Sequence, residues 1–190
     1  MRSSSSQEFF DKLYSADSDP WNFATSDYEL SRYDAEISFL EGRRFKRAFE
    51  PGCSIGIFTQ KLATFCDRLE AIDISPTAAS LARKRCSHLK NVTVQQGSLP
   101  QDLPYGTFNL IVFSELGYYF EAPVLQDLGS ELVKRLEVDG VFLAAHWLGQ
   151  SPDHVLSGDR VHEVLRCLPG LTLTASDRQP GYRIDRWSKT

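Results

Sequence analysis

Three short segments carry residue types and spacings suited to chemistry, and each follows an apolar run. At 50–56 the chain reads EPGCSIG. Gly52 and Gly56 permit a sharp turn and a close approach of backbone to ligand, and Glu50 places an acid just before the first glycine. A dinucleotide site uses G-x-G-x-x-G so that a pyrophosphate rests on the N-terminus of the next helix. Here Ser54 stands in place of the middle glycine, and an acid suits a cationic ligand better than an anionic one. Asp73, in AIDIS, ends a second apolar run, where a carboxylate accepts hydrogen bonds from both hydroxyls of a ribose. Gly97, Ser98 and Leu99 follow a third run, where the edge of an adenine would lie. S-adenosylmethionine matches these demands: it brings an adenosine, an ammonium and a sulfonium, and no phosphate.

Residues so far apart in sequence need a frame that gathers strand ends. The hydrophobic patterning predicts strands at 45–50, 68–74, 92–96, 108–114 and 141–146, with helices at 56–65, 76–89, 124–136 and 160–168. Ser75 is a good N-cap and Pro76 a good first helical residue. FNLIVFS at 108–114 is nearly continuous in apolar character, as a central strand covered on both faces would be. Strands at 171–175 and 182–187 have no helix between them and read as a closing hairpin. Alternating strands and helices imply a parallel sheet with right-handed crossovers, and hence ligand loops at the carboxyl ends of the strands. The expected fold is α/β and Rossmann-like: a mainly parallel seven-stranded sheet, an antiparallel C-terminal hairpin and an N-terminal helical extension. That extension occupies 7–40 and breaks at Ser18, Asp19, Pro20 and Trp21. One domain is expected over 1–190, with 1–41 as a helical cap or lid and 42–190 as the core.

The segments EPGCSIG, AIDISPTA and DLPYGTFNLIVFSELGYYF, with SDPWNF and YELSRYD ahead of them, resemble the nodulation methyltransferases of rhizobia, the NodS family. The resemblance spans nearly the whole chain. It implies a class I methyltransferase that N-methylates the free amine of the non-reducing glucosamine of a deacetylated chitooligosaccharide, a step of Nod-factor synthesis. Carried over residue by residue, it puts Glu50, Gly52 and Gly56 under the methionine part of the cofactor. Asp73 holds the ribose, Ile74 is a further cofactor contact, Ser98 and Leu99 flank the adenine, and Ser114 lies near the sulfonium. Ser98 departs from the Asp common in relatives, so its hydroxyl or the Leu99 backbone must serve. Arg32 would reach the cofactor carboxylate as a charged partner, and Trp21 would cover the cofactor. A glucosamine amine needs its lone pair free, so a carboxylate or imidazole that accepts its hydrogen bond and proton helps. Glu115, directly after the fourth strand, and His146, ending the fifth, are the expected catalytic groups. Tyr118, Tyr119 and Trp147 offer flat faces for sugar rings. His162, in GDRVHEVL, is expected to face solvent or to pack.

Composition bounds the alternatives. At 190 residues with 42% hydrophobic side chains, the chain suits one α/β domain with a substantial core. A formal net charge of −4 argues against nonspecific nucleic-acid binding, which needs a basic footprint. Cys53, Cys66, Cys86 and Cys167 form no C-x-x-C, so neither a metal site nor a disulfide framework is expected, and reduced thiols fit a cytoplasmic protein. The opening MRSSSSQEFF lacks the apolar segment of a signal peptide. Its serines read as a frayed tail, and no run reaches the length of a membrane span. Three other functions stay open: a methyltransferase for another small hydroxyl, carboxylate or amine, a cofactor-binding module without catalysis, and a nicotinamide oxidoreductase, the last disfavoured by the missing glycine.

Overall fold

A computed structural model describes residues 6–190; of the serines expected as a frayed tail, Ser3, Ser4 and Ser5 lie outside them, whereas Ser6 caps the first helix by accepting from the Phe9 N–H at 3.2 Å. Seven strands, β1 (Ala48–Pro51), β2 (Leu69–Asp73), β3 (Val92–Gln96), β4 (Phe108–Ser114), β5 (Leu136–Trp147), β6 (Leu171–Arg178) and β7 (Tyr182–Lys189), form one sheet in the order β3-β2-β1-β4-β5-β7-β6. The first five are mutually parallel, and β7 runs antiparallel to both β5 and β6. The mainly parallel seven-stranded sheet with an antiparallel C-terminal pair is therefore as expected. The hairpin's second strand, β7, inserts between β5 and β6.

Side-chain alternation decides which helices cover which face. Along β4, Leu110 and Val112 face one cluster with Phe58 and Leu62 of α3 (Ile57–Leu62) and Tyr33 of α2 (Asp27–Ser38). Ile111 and Phe113 face the other, with Leu125, Leu128 and Leu132 of α5 (Ala122–Arg135) and Val161 and Leu165 of α6 (Gly158–Arg166). Both faces of β4 are thus covered, which is why its sequence is apolar almost throughout. Three alanines of α4 (Pro76–Arg85), Ala78, Ala79 and Ala82, are fully buried and let that helix lie close to the sheet. Ser75 caps α4 through a 3.1 Å bond from the Ala78 N–H, with Pro76 in the first turn.

The first strand is shorter than expected. Phe45 makes a single bridge to Cys66, and the Arg47 N–H is taken by the Asn109 side chain at 3.0 Å rather than by a ladder partner. The fifth is longer, because Asp139 adopts φ 62° and the strand continues through Asp139 and Gly140 as an irregularity. The N-terminal extension forms α1 (Gln7–Ala16) and α2, separated at the Pro20-Trp21 break. Among the described residues, no helix is long and apolar enough to cross a membrane.

Candidate functional site

The carboxyl ends of β1, β2, β3 and β4 open into one cavity of about 440 Å³, roofed by α1 and the segment that follows it. This volume lies in the ordinary range for small-ligand sites, about 300–1,000 Å³. The turn after β1 is bent by Gly52 (φ 75°), Ser54 (φ 50°) and Gly56 (φ 81°). A positive φ costs glycine nothing, but it is strained for serine and marks a turn held for a purpose. Only Gly52 and Ser54 of these line the cavity. Gly56 serves the frame: a Cβ there would lie 3.1 Å from Ala82, so its absence lets the turn rest against α4.

The Ser54 N–H donates to Asp73 Oδ2 at 2.8 Å, and the Ser75 N–H to Oδ1 at 2.9 Å. Two backbone donors therefore orient the Asp73 carboxylate, and each oxygen keeps a lone pair for a ligand. Burial pushes the Asp73 carboxyl up to about 6, against the pull of those donors. Ile74, Ser98 and Leu99 line the cavity beside it. Glu50 is buried behind the glycine turn and outside the lining. One of its oxygens, Oε2, has no hydrogen-bond partner, and burial raises its carboxyl to about 8.

At the end of β4 the backbone turns through Glu115 at φ 54°. The Glu115 N–H donates to the Ala145 carbonyl at 2.8 Å. Its Oε1 accepts from the Trp147 N–H at 2.7 Å and its Oε2 from the Tyr118 hydroxyl at 2.5 Å. Its side chain remains 21% exposed toward the cavity. Beneath it lies Arg32, fully buried on α2 and outside the cavity lining. Arg32 is bonded to Glu29 at 2.6 Å, to Glu36 at 2.5 Å and to Ser114 Oγ at 3.3 Å, and Glu115 stands 3.7 Å away. Three carboxylates thus share one guanidinium. Burial raises Glu36 to about 7 even though Arg32 pulls it down. The expected contact of Arg32 with a cofactor carboxylate is not what this geometry offers, because Arg32's donors are spent on carboxylates of its own helix. Ser114 likewise bonds to Arg32 and Glu36 and stays outside the lining.

Tyr118, Tyr119 and Trp147 line the cavity, as does Trp21, which stacks on Phe23 and meets Tyr14 edge-on. His146 does not. It is fully buried behind the turn after β4, where its Nε2 accepts the Gly117 N–H at 3.0 Å. The strand's alternation carries that signal, since His146 shares its parity with Phe142 and Ala144, two residues of the α5 and α6 face. His162 is fully buried and bonded rather than solvated. Several cavity residues were not anticipated. Phe10 and Tyr14 are spaced four apart, an aromatic pair on one helical face that the sequence does display. His154 lies flat on Tyr118, with ring centroids 3.7 Å apart, and comes from a loop that carries no periodicity.

The lining includes four carboxylates, Glu29, Asp73, Glu115 and Asp153, and, among the described residues, no lysine or arginine. Its one imidazole, His154, is pushed below its ordinary range by burial and is neutral at pH 7. Such a cavity repels pyrophosphate and favours a cationic ligand with flat apolar parts. S-adenosylmethionine fits this donor set: a ribose for Asp73, apolar side chains for the adenine, and positive charge amid carboxylates.

The sequence model of the family described as Nodulation protein S (NodS) matches residues 4–164. Nodulation protein S of Bradyrhizobium diazoefficiens is 37% identical over 108 residues, which cover 53% of this chain and 49% of that one. The chain spans about half the length of the first curated relatives it matches. A crystal structure described as a methyltransferase from Pseudomonas syringae is 34% identical and superposes with a TM-score of 0.76 over 85% of this chain and 99% of its own. The crystal structure of N-methyltransferase NodS from Bradyrhizobium japonicum WM9 in complex with S-adenosyl-l-homocysteine gives a TM-score of 0.85 at 23% identity, covering 96% and 98%. That last likeness concerns the fold, which is the Rossmann-like methyltransferase architecture.

Proposed function

The chain belongs to the NodS family, and from that premise we propose that it is an S-adenosylmethionine-dependent N-methyltransferase. Its acceptor is the free amine of the non-reducing glucosamine of a deacetylated chitooligosaccharide, in Nod-factor synthesis. The observation that carries this reading is the cavity with four carboxylates and, among the described residues, no lysine or arginine in its lining. Of the expected cap at 1–41, the described residues 6–41 act as a cap, and 42–190 act as the core.

S-adenosylmethionine, when bound, supplies a methyl group on a sulfonium, open to displacement by a neutral amine. Asp73 holds the ribose with the lone pairs its two backbone donors leave free. Ile74, Ser98 and Leu99 enclose the adenine, Gly52 lets the backbone approach the methionine part, and Trp21 closes over it. Glu50, buried beneath the turn with one unpartnered oxygen and its carboxyl raised to about 8, holds its proton at pH 7 and offers a hydrogen-bonding group there rather than a charge. Glu115 receives the amine: Trp147 and Tyr118 fix both oxygens, and the remaining lone pairs accept an N–H and then the proton released as nitrogen gains its fourth bond. Tyr118 stays protonated as a donor, because burial and the neighbouring Glu115 push its hydroxyl well above the ordinary tyrosine range. Tyr118, Tyr119 and Trp147 offer faces for the sugar rings and exclude water. Holding amine and methyl donor in line is worth roughly 7–11 kcal/mol of barrier, so no strong base is required.

A second reading, transfer to another small-molecule hydroxyl, carboxylate or amine, draws on the full-length correspondence with the Pseudomonas syringae protein, set against half-length coverage of the curated relatives. A methyl-transfer assay on paired oligosaccharides, one with a free terminal amine and one fully acetylated, separates the two. Only the free amine is expected to be methylated, since an amide nitrogen delocalises its lone pair. Equal rates on both, or none on either, would overturn the glucosamine assignment.

A further inference from the structure

Behind the turn that carries Glu115 runs a buried chain of hydrogen bonds that the reaction as described does not use. The Gly117 N–H donates to His146 Nε2 at 3.0 Å, His146 Nδ1 meets His162 Nε2 at 3.2 Å, and His162 Nδ1 meets Asp185 Oδ2 at 2.8 Å. His146, His162 and Asp185 are all fully buried. Backbone N–H is only ever a donor, so it fixes every proton in the chain. His146 must be bare at Nε2 and protonated at Nδ1, His162 must be bare at Nε2 and protonated at Nδ1, and Asp185 must accept. Asp185 is itself held by Ser176 at 2.5 Å and by Arg183 at 2.9 Å. It sits opposite Ala144 on β7, the antiparallel strand inserted beside β5, and outside the 4–164 region that defines the family match.

The near end of this chain touches the site from behind. A Cβ on Gly117 would lie 2.9 Å from His146 Nε2 and 2.4 Å from Val161, so the turn is pressed against the relay. Tyr118, the donor to Glu115, has His146 edge-on at 5.4 Å on one side and His154 stacked on the other. Glu115 adopts a positive φ, a backbone state that persists only where its surroundings over-determine it. We infer that Asp185, His162 and His146 form a positioning relay that holds the 115–118 turn, and through it the direction in which Glu115 and Tyr118 face the acceptor. None of the three touches the cavity, so they position and do not react. This rests on reading Glu115 as the amine-facing group.

His146→Leu removes the acceptor for the Gly117 N–H, whereas His146→Gln keeps an amide oxygen near the place of Nε2. Nitrogen NMR of the wild-type protein should show His146 and His162 both protonated at Nδ1. Hydrogen exchange at Gly117 should be slow in the wild type and in His146→Gln, and fast in His146→Leu. Methyl transfer to the amine-bearing oligosaccharide should fall up to roughly a hundredfold in kcat for His146→Leu, the scale of a misplaced reacting group. KM and S-adenosylhomocysteine affinity should hold, and His146→Gln should recover most of the loss. A general loss of stability would move affinity and exchange across the whole sheet instead. A protonated Nε2 on His146, or unchanged Gly117 exchange in His146→Leu, overturns the relay. Both are read without acceptor, so a wild-type protein inert on the oligosaccharide would sink the proposed function and leave the relay to be judged on its own signals.

Discussion

Asp73 and Glu115 are each gripped by two hydrogen bonds from the chain itself, and each keeps capacity to spare. For Asp73 that capacity is the proposed ribose contact. Asp73→Ala should weaken S-adenosylhomocysteine binding by about 1.5–3 kcal/mol in calorimetry, the usual worth of a hydrogen bond to a charged group. Unchanged affinity in a folded variant would remove the ribose assignment. For Glu115 the capacity serves the amine, so Glu115→Gln should lower turnover while cofactor affinity stays near wild type; full turnover in that variant would show that another group takes the proton. Both residues were legible in the sequence because a carboxylate at a strand's end has few places to point in a parallel α/β sheet. The burial of His146 was legible only through strand parity. His154 was not legible at all, since its place depends on a loop meeting Tyr118 across the cavity.

The helices ahead of the sheet make bonds that a passive extension would not need. Asp11 on α1 accepts from Ser75 Oγ at 2.7 Å and from the Thr77 N–H at 3.0 Å, at the start of α4. Tyr14 meets Ser54 Oγ at 2.6 Å, on the glycine turn itself. Phe10 and Tyr14 line the cavity. This supports reading the segment as a lid that shuts water out and completes the site. Hydrogen exchange over 7–33 should slow when S-adenosylhomocysteine binds, and Asp11→Ala should reduce that protection; equal exchange with and without ligand would discard the lid. The strands β3 and β4 could be bounded to the residue from sequence, since apolar runs and turn residues agree there. The fifth strand was cut short because Asp139-Gly140 reads locally as a turn, whereas pairing with β4 on both sides of it, Leu136 with Phe108 and Val141 with Leu110, carries the strand through. The first was drawn too long for the converse reason: Phe45 is apolar and buried, yet the N–H of Arg47, two residues on, bonds to a side chain rather than to the ladder.

Across the whole molecule, buried acids leave a mark on stability. Burial lifts Glu36 to about 7 and Glu50 to about 8, from an ordinary value of 4.5. A carboxyl whose folded pKa is raised stabilises fully below the unfolded value, and that contribution is lost as pH rises through the folded value. The window for Glu50 therefore runs from 4.5 to about 8. Burial lowers both His146 and His162 below 6.5, so they act in the opposite sense, costing stability only as pH falls below 6.5. Above that point the acids act alone, and the ligand-free protein should lose stability between pH 6.5 and 8. Each raised acid adds at most about 1.4 kcal/mol per pH unit. Melting temperatures across that range check this, and Glu50→Gln should flatten the decline; a rise in stability over the same range would contradict the burial of these charges. A chain with net charge −4 that concentrates carboxylates around one cavity accepts this cost where a cationic ligand offsets it.

The claim on which the rest depends is that this cavity takes an adenosyl ligand bearing positive charge and rejects one bearing phosphates. Calorimetry of the intact protein with S-adenosylhomocysteine, whose ammonium and adenosine test the pocket without turnover, and with NAD, whose pyrophosphate would face Asp73 and Glu115, puts that claim most directly. Saturable one-to-one binding of S-adenosylhomocysteine is expected, with no measurable binding of NAD under the same conditions. Comparable binding of NAD, or no binding of S-adenosylhomocysteine to the folded protein, would contradict it.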